Sequence, residues 1–380
     1  MKKTDCCRIW LHVDFRDLRE KSGLPAPWQD TSKLFGAPAI FRVMKEKEAV
    51  FLRMETKKPG KIQIRFPLKR KFGQQTAFRV TFLGRSGTGA GALMGLRSFK
   101  NPEQPDEVDA AVLLSLSPAW KEHVVTTRGG PVKGQVAFYF NFSGPGSVDI
   151  LRVKVEEIPE REHTPLAVIP RGHEELWEGG WLESHERMRR QAREKQPEIG
   201  FWGDSITAGW LGAGRAAWDR EFAPLNIMNF GIGGDTVQTV LWRVRDARVG
   251  EDFSPRLAVL MIGSNNLFHI DSPVDVAEGM ALLLREFRAR LPKSRVLLLG
   301  VTPSRHDPRD GLRKRIADLN RRYSKLADGK KVVFADVGGA VLEPDGSLGR
   351  NVSEDGSHFL PDGYERLARA IAPRMRGLAG

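Results

Sequence analysis

The stretch EIGFWGDSITAGW, residues 198–210, ends an apolar run on a Gly-Asp-Ser turn. A short run that is apolar on both faces fits a strand buried in a parallel sheet. Gly203-Asp204 breaks it, so Ser205 stands just beyond a strand's carboxyl end. A serine hydroxyl is inert at neutral pH by itself. A chemical role for Ser205 therefore needs a base and an oxyanion hole contributed from elsewhere in the chain.

Around this stretch the second half of the sequence alternates strand and helix. Further strands are expected at NIMNFG (226–231), LAVLMIG (257–263), RVLLLGV (295–301) and KVVFADV (331–337). Helical spacing lies between them, as in 275–291 and 311–327. Such a pattern predicts a parallel sheet with right-handed crossovers, whose ligand site lies beyond the strand carboxyl ends.

The first half reads differently. Short strands are expected at AVFLRM, KIQIRF, AFRVTFL, AAVLLSLS, QVAFYFNF and SVDILRVKVEEI. Turns are expected at Pro59-Gly60, at the glycine-rich GRSGTGAGAL and at Gly144-Pro145-Gly146. Many short strands with almost no helical period indicate an antiparallel β-sandwich. The closing stretch, 116–158, resembles the last strands of jelly-roll carbohydrate-binding modules, although Trp120 reads as core rather than as a ligand platform. The expected organisation is a sandwich over 1–156, a linker over 157–176 rich in Pro and charge, and an α/β domain over 177–380.

The 380 residues suit two domains, and 41% hydrophobic with 28% charged residues is ordinary for a soluble globular chain. No apolar run approaches the roughly 20 residues that span a bilayer. The opening MKKTDCCRIWLHVDF has no apolar core, so no intact signal peptide is expected. The two cysteines, Cys6 and Cys7, are adjacent and pair poorly with each other. The eight histidines are scattered without metal-ligand spacing, so no cofactor or metal is expected. Of the net charge of +13, all but three charges lie before residue 161, most densely in KKPGKIQIRFPLKRK at 57–71. This stretch reads first as a solvated hairpin and second as an attraction to an acidic glycan or anionic surface. No nucleic-acid-binding motif accompanies it.

Four short blocks fall at comparable places in the second half: GDSIT (203–207), NFGIGGDT (229–236), GSNN (263–266) and DGSHF (355–359). In this order they resemble the SGNH (GDSL-type) hydrolase superfamily, and NFGIGGDT followed by VLWR (240–243) resembles its platelet-activating-factor-acetylhydrolase-like branch. The resemblance runs from about residue 177 to 376. It implies a flavodoxin-like three-layer α/β/α fold for this half and a serine esterase activity without cofactor. It further implies Ser205 as nucleophile, His358 as base and Asp355 as the carboxylate that orients it. The oxyanion hole it implies consists of the Ser205 and Gly234 backbone N–H groups and the Asn265 side-chain amide. Asp235 reads as a helix N-cap. Asn266 and the following Leu267-Phe268-His269 read as structural or pocket-lining, and His306 reads first as a solvated loop residue and second as a contact within reach of substrate. Ser357 stands where this branch commonly has leucine.

The order of a β-sandwich ahead of the hydrolase resembles that of several carbohydrate esterases, which points first to a carbohydrate O-acetylesterase. The alternatives are a lipid or small-ester acylhydrolase and, last, an inactive binding protein, against which the complete Ser, Gly, Asn, Asp and His set argues. If the substrate is a glycan, an extracytoplasmic location is expected. Oligomeric state is left open.

Overall fold

The computed structural model describes residues 8–15, 24, 28–30, 32, 38–68, 76–87, 91–99, 107–129, 135–170, 180–268 and 271–379. Cys6, Cys7, Lys69–Lys71, Trp177, His269 and part of the glycine-rich loop lie outside the described residues. The chain divides into two compact units, Met1–Thr164 with His269–Ser272, and Pro165–Phe268 with Pro273–Gly380. The stretch expected as a linker is divided between them. Residues 160–162 form a 3-10 turn of the first unit, and Ala167, fully buried, belongs to the second.

The first unit contains β1 (Arg8–Asp14), β2 (Gln29–Asp30), β3 (Ile40–Glu46), β4 (Ala49–Leu68), β5 (Thr76–Ser86), β6 (Gly91–Phe99), β7 (Glu107–Ser115), β8 (Lys121–Gly129) and β9 (Gln135–Ile158). Every described pairing among them is antiparallel, and they form one nine-stranded sheet. β9 is its spine. Its first half pairs with β4 and β6, and its second half with β4, β5 and β1.

Two expected turns are corrected here. Pro59-Gly60 and Gly144-Pro145-Gly146 do not separate strands; each lies inside one long strand. The register shift between Thr56 and Gly60 in β4 sits opposite Gly144–Gly146 in β9. Both strands are interrupted at the same level, so they bend together and stay paired. Proline is tolerated in a strand at such a bulge. The bend brings the sheet back over itself. Phe82 of β5 stacks on Phe140 of β9 at 5.2 Å and 11°, although β5 pairs only with residues 148–158 of β9. Alternation does the rest: Phe78, Val80 and Phe82 are buried while Arg79, Thr81 and Leu83 are not. Trp120 packs edge-on against Phe51 at 5.3 Å, under the Arg85 guanidinium at 4.6 Å.

The second unit runs through α1 (Trp181–Lys195), β10 (Ile199–Gly203), α2 (Ser205–Ala208), α3 (Arg215–Glu221), β11 (Ile227–Asn229), α4 (Val237–Asp246) and β12 (Leu257–Met261). It continues through α5 (Ser264–Phe268), α6 (Pro273–Arg290), β13 (Arg295–Leu299), α7 (Gly311–Ser324), β14 (Val332–Ala335) and α8 (Pro361–Ala379). The five strands are parallel in the order β11-β10-β12-β13-β14, which is the flavodoxin-like arrangement. Their alternate side chains feed two separate cores. Trp202, Ala258, Leu260, Val296 and Leu298 join α4, α6 and α7 on one face. Phe201, Leu257, Val259, Leu297 and Leu299 join α3 and α8 on the other. This two-sided burial is why the strands read as continuous apolar runs. Among the described residues, no helix is long and apolar enough to cross a membrane.

Candidate active site

β10 lies where the strand order reverses, and the chain leaves it through Gly203-Asp204-Ser205. Gly203 must lack a side chain. A Cβ there would lie 2.1 Å from Thr207 Oγ1 and 2.4 Å from Met261 O. Asp204 caps α2 by accepting the Ile206 N–H at 3.0 Å, which leaves Ser205 as the first helical residue. Ser264 Oγ–H donates to the other Asp204 oxygen at 2.6 Å, so the turn that carries Ser205 is tied to the start of α5. Full burial raises the Asp204 carboxyl to about 6, against the opposing pull of the Ser264 and Ile206 hydrogen bonds.

The loop before α8 brings His358 to Ser205. Ser205 Oγ–H donates to His358 Nε2 at 2.9 Å, and His358 Nδ1–H donates to Asp355 Oδ2 at 2.7 Å. These partners fix the tautomer. Asp355 Oδ1 accepts the backbone N–H groups of Ser357 and His358, both at 2.8 Å, and the Ser353 hydroxyl at 3.3 Å. Desolvation works to raise the Asp355 carboxyl, but the bonds from the His358 ring and these N–H groups outweigh it and hold it at about 2. The carboxylate is therefore charged throughout the neutral range. The His358 side chain is 58% exposed, so the imidazole is open to an incoming substrate.

The oxyanion candidates follow β11 and β12. Gly234 has φ of +81°, a left-handed conformation that favours glycine. The glycine before it lies against Ser205: a Cβ on Gly233 would sit 3.9 Å from Ser205 Cβ. Asn265 is half-buried on α5, and one of its amide hydrogens goes to the Asp235 carbonyl at 2.8 Å. An amide nitrogen carries two hydrogens. The structure thus joins Ser205, His358 and Asp355 in one hydrogen-bonded chain, and ties Asn265 to the residue that follows Gly234.

The model of the GDSL-like Lipase/Acylhydrolase family matches residues 201–366, a span holding all five of these residues. The platelet-activating factor acetylhydrolase IB subunit alpha2 of Rattus norvegicus is 30% identical over 210 residues, 54% of this chain and 88% of that protein. The chain belongs to the GDSL-like lipase/acylhydrolase family. The alpha1 subunit from Homo sapiens, also 30% identical, matches over 217 residues, 57% of this chain and 89% of its own. A GDSL-like lipase structure from Bacteroides thetaiotaomicron covers 51% of this chain and 98% of its own, at 23% identity and a TM-score of 0.42. As a GDSL-type hydrolase of the acetylhydrolase-like branch, the protein is an enzyme acting on ester bonds. The N-terminal β unit lies outside the matched span.

Several supporting residues of this GDSL-type site were not apparent in the sequence. Asp235 is not the N-cap of α4. Thr236 holds that position in a capping box with Thr239. Asp235 instead turns inward. Its carboxylate accepts Trp181 Nε1–H at 2.8 Å, Thr239 Oγ1–H at 3.1 Å and Arg243 Nη1–H at 2.5 Å. The Asp235 and Arg243 side chains are 0% and 2% exposed. This buried ion pair anchors the carbonyl that holds Asn265. Helical spacing offered a signal, because Arg243 falls beside the apolar stripe Val237, Val240, Leu241 and Val244. His306 is likewise not free in solvent but half-buried and bonded to the main chain. Its Nδ1–H donates to Leu348 O at 2.7 Å, tying the loop after β13 to the segment that leads into Asp355, and Nε2 lies 3.2 Å from Glu354 O. Asn266 is structural: Oδ1 accepts Val237 N–H and Nδ2 donates to Gln238 Oε1, both at 2.9 Å.

Proposed function

We propose that this esterase removes acetyl groups from an acylated carbohydrate, with Ser205 as nucleophile. His358 Nε2 takes the Ser205 proton as Oγ attacks the ester carbonyl, and Asp355 stabilises the imidazolium that forms. The developing oxyanion is received by the Ser205 and Gly234 N–H groups and by the second amide hydrogen of Asn265. The imidazolium then protonates the leaving alkoxide, and water regenerates the enzyme by the same route. The observation that carries this reading is the continuous Ser205–His358–Asp355 hydrogen-bonded chain, already assembled and open to solvent.

The carbohydrate part of the reading is supported by the antiparallel β unit ahead of the hydrolase and by its excess positive charge. Lys57 and Lys58 are exposed on β4 and suit attraction of an acidic glycan. A glycan substrate also favours an extracytoplasmic location. The second reading, an acetyl ester on a lipid, is favoured by the platelet-activating-factor relatives named above. Acetate release from acetylated oligosaccharides and from a 1-alkyl-2-acetyl phospholipid, with p-nitrophenyl acetate as reference, separates the two. Preference for the oligosaccharides is expected; preference for the phospholipid would replace the first reading with the second.

A further inference from the structure

The loop after β13 carries a strained arginine at the edge of the site. Arg305 has φ of +74°, a conformation that is unfavourable for a residue with a Cβ and that tends to persist at functional positions. Its N–H donates to Gly356 O at 2.6 Å, so its backbone is bonded to the turn between Asp355 and His358. Its guanidinium lies over the Phe268 ring, 5.1 Å from the centroid. Phe268 is three residues after Asn265 on α5, and residues three apart are neighbours on a helix surface. Arg305 therefore links the two, its backbone to the loop that holds the acid–base pair and its side chain to the helix that holds the amide donor.

The Arg305 guanidinium is exposed and, among the described residues, has no carboxylate partner. Stacking on a phenyl ring occupies one face of the guanidinium plane. The five N–H donors at its edge stay available for a carboxylate or phosphate. The side of the site is also defined. The imidazole passes its proton to the leaving alkoxide, so the alcohol part of the substrate lies against the His358 loop, to which Arg305 is bonded.

We propose that Arg305 is a specificity subsite for an anionic group, a carboxylate or a phosphate, on the alcohol part of the ester substrate. This rests on the esterase reading above. An acetylated acidic sugar or an acetylated phosphoglycerol carries the required chemistry; the neutral form of either lacks it.

Two substrate pairs test this, each differing only in charge. The first is an O-acetylated uronate and its methyl ester; the second is acetylglycerol phosphate and acetylglycerol. Acetate release is measured for the wild-type protein and for the R305Q and R305K variants. In the wild type, kcat/KM for the charged member of at least one pair should exceed that of its neutral partner by about tenfold, as expected for a charge-assisted bidentate contact. The pair that shows the preference identifies the anion. R305Q should abolish that ratio chiefly through KM, and R305K, which keeps the charge without the fork, should retain part of it. An unchanged ratio in R305Q, or both members falling together, would overturn the subsite. If R305Q does not fold, the wild-type ratio is followed as ionic strength rises: it should shrink, and a constant ratio would overturn the proposal. Failure of the wild type to release acetate from any of the four compounds would instead refute the acetylesterase reading proposed above.

Discussion

Replacing Arg243 by methionine keeps much of the side-chain volume but leaves the Asp235 carboxylate buried without its cation. Trp181 Nε1–H and Thr239 Oγ1–H remain as neutral donors. Removing one partner of a buried pair typically destabilises by about 3–5 kcal/mol, mostly because the other charge is stranded. The effect should reach the chemistry, since the Asp235 carbonyl holds the Asn265 amide at 2.8 Å. Loss of one oxyanion donor lowers kcat by about 10²–10³, with KM much less changed. Urea unfolding followed by tryptophan fluorescence gives the stability, and p-nitrophenyl acetate turnover by the folded variant gives the kinetics. The double variant Asp235→Asn with Arg243→Met removes both charges and should regain a large part of the lost stability. Arg243→Met as stable as wild type, or a double variant less stable than the single one, would refute the stabilising role of the pair. A folded Arg243→Met protein with wild-type kcat would refute the positioning role alone.

Asn265→Ala should lower kcat by about 10²–10³ with little change in KM; an effect confined to KM would exclude an oxyanion role. Asp355→Asn would place an amide N–H against His358 Nδ1 and select the tautomer that cannot accept the Ser205 proton, lowering kcat by about 10²–10⁴. Wild-type kcat in that variant would show that the carboxylate is dispensable. The Asp204 carboxyl rises from 3.8 to about 6 on folding, so between these values the folded chain keeps a proton that the unfolded chain has released. Its contribution to stability is thus complete below pH 3.8 and falls by about 3 kcal/mol as pH rises through 6. Urea melts at pH 4 and 7 should show this fall in the wild type and a smaller one in Asp204→Asn; equal pH dependence in both would refute it.

The parallel sheet could be read from local sequence because each strand is buried on both faces and leaves an uninterrupted apolar run. The five candidate site residues could be read because each follows a strand end or precedes the final helix in a short, glycine-marked block. The long strands β4 and β9 could not. Pro59 and Pro145 are turn signals in isolation, and only their opposition across one strand pair turns two breaks into a shared bend. Asp235 misleads for a related reason. A carboxylate just before a helix satisfies the local rule for a cap, whereas its actual partners, Trp181 and Arg243, are 54 and 8 residues away. His306 has the same character, since the carbonyls it meets belong to residues 348 and 354. What local sequence conceals here is the buried polar network that positions the site.

The most direct test of Ser205 as the nucleophile is covalent. The wild-type protein is treated with a serine-directed phosphonate ester, digested, and mapped by peptide mass spectrometry, with Ser205→Ala as the control. The geometry at 2.9 Å from His358 Nε2 predicts a single adduct on the peptide bearing Ser205. That adduct should be absent from Ser205→Ala, which should fold and lose ester hydrolysis. An adduct on a different serine, or a folded Ser205→Ala protein retaining about a tenth of wild-type kcat/KM, would contradict the account.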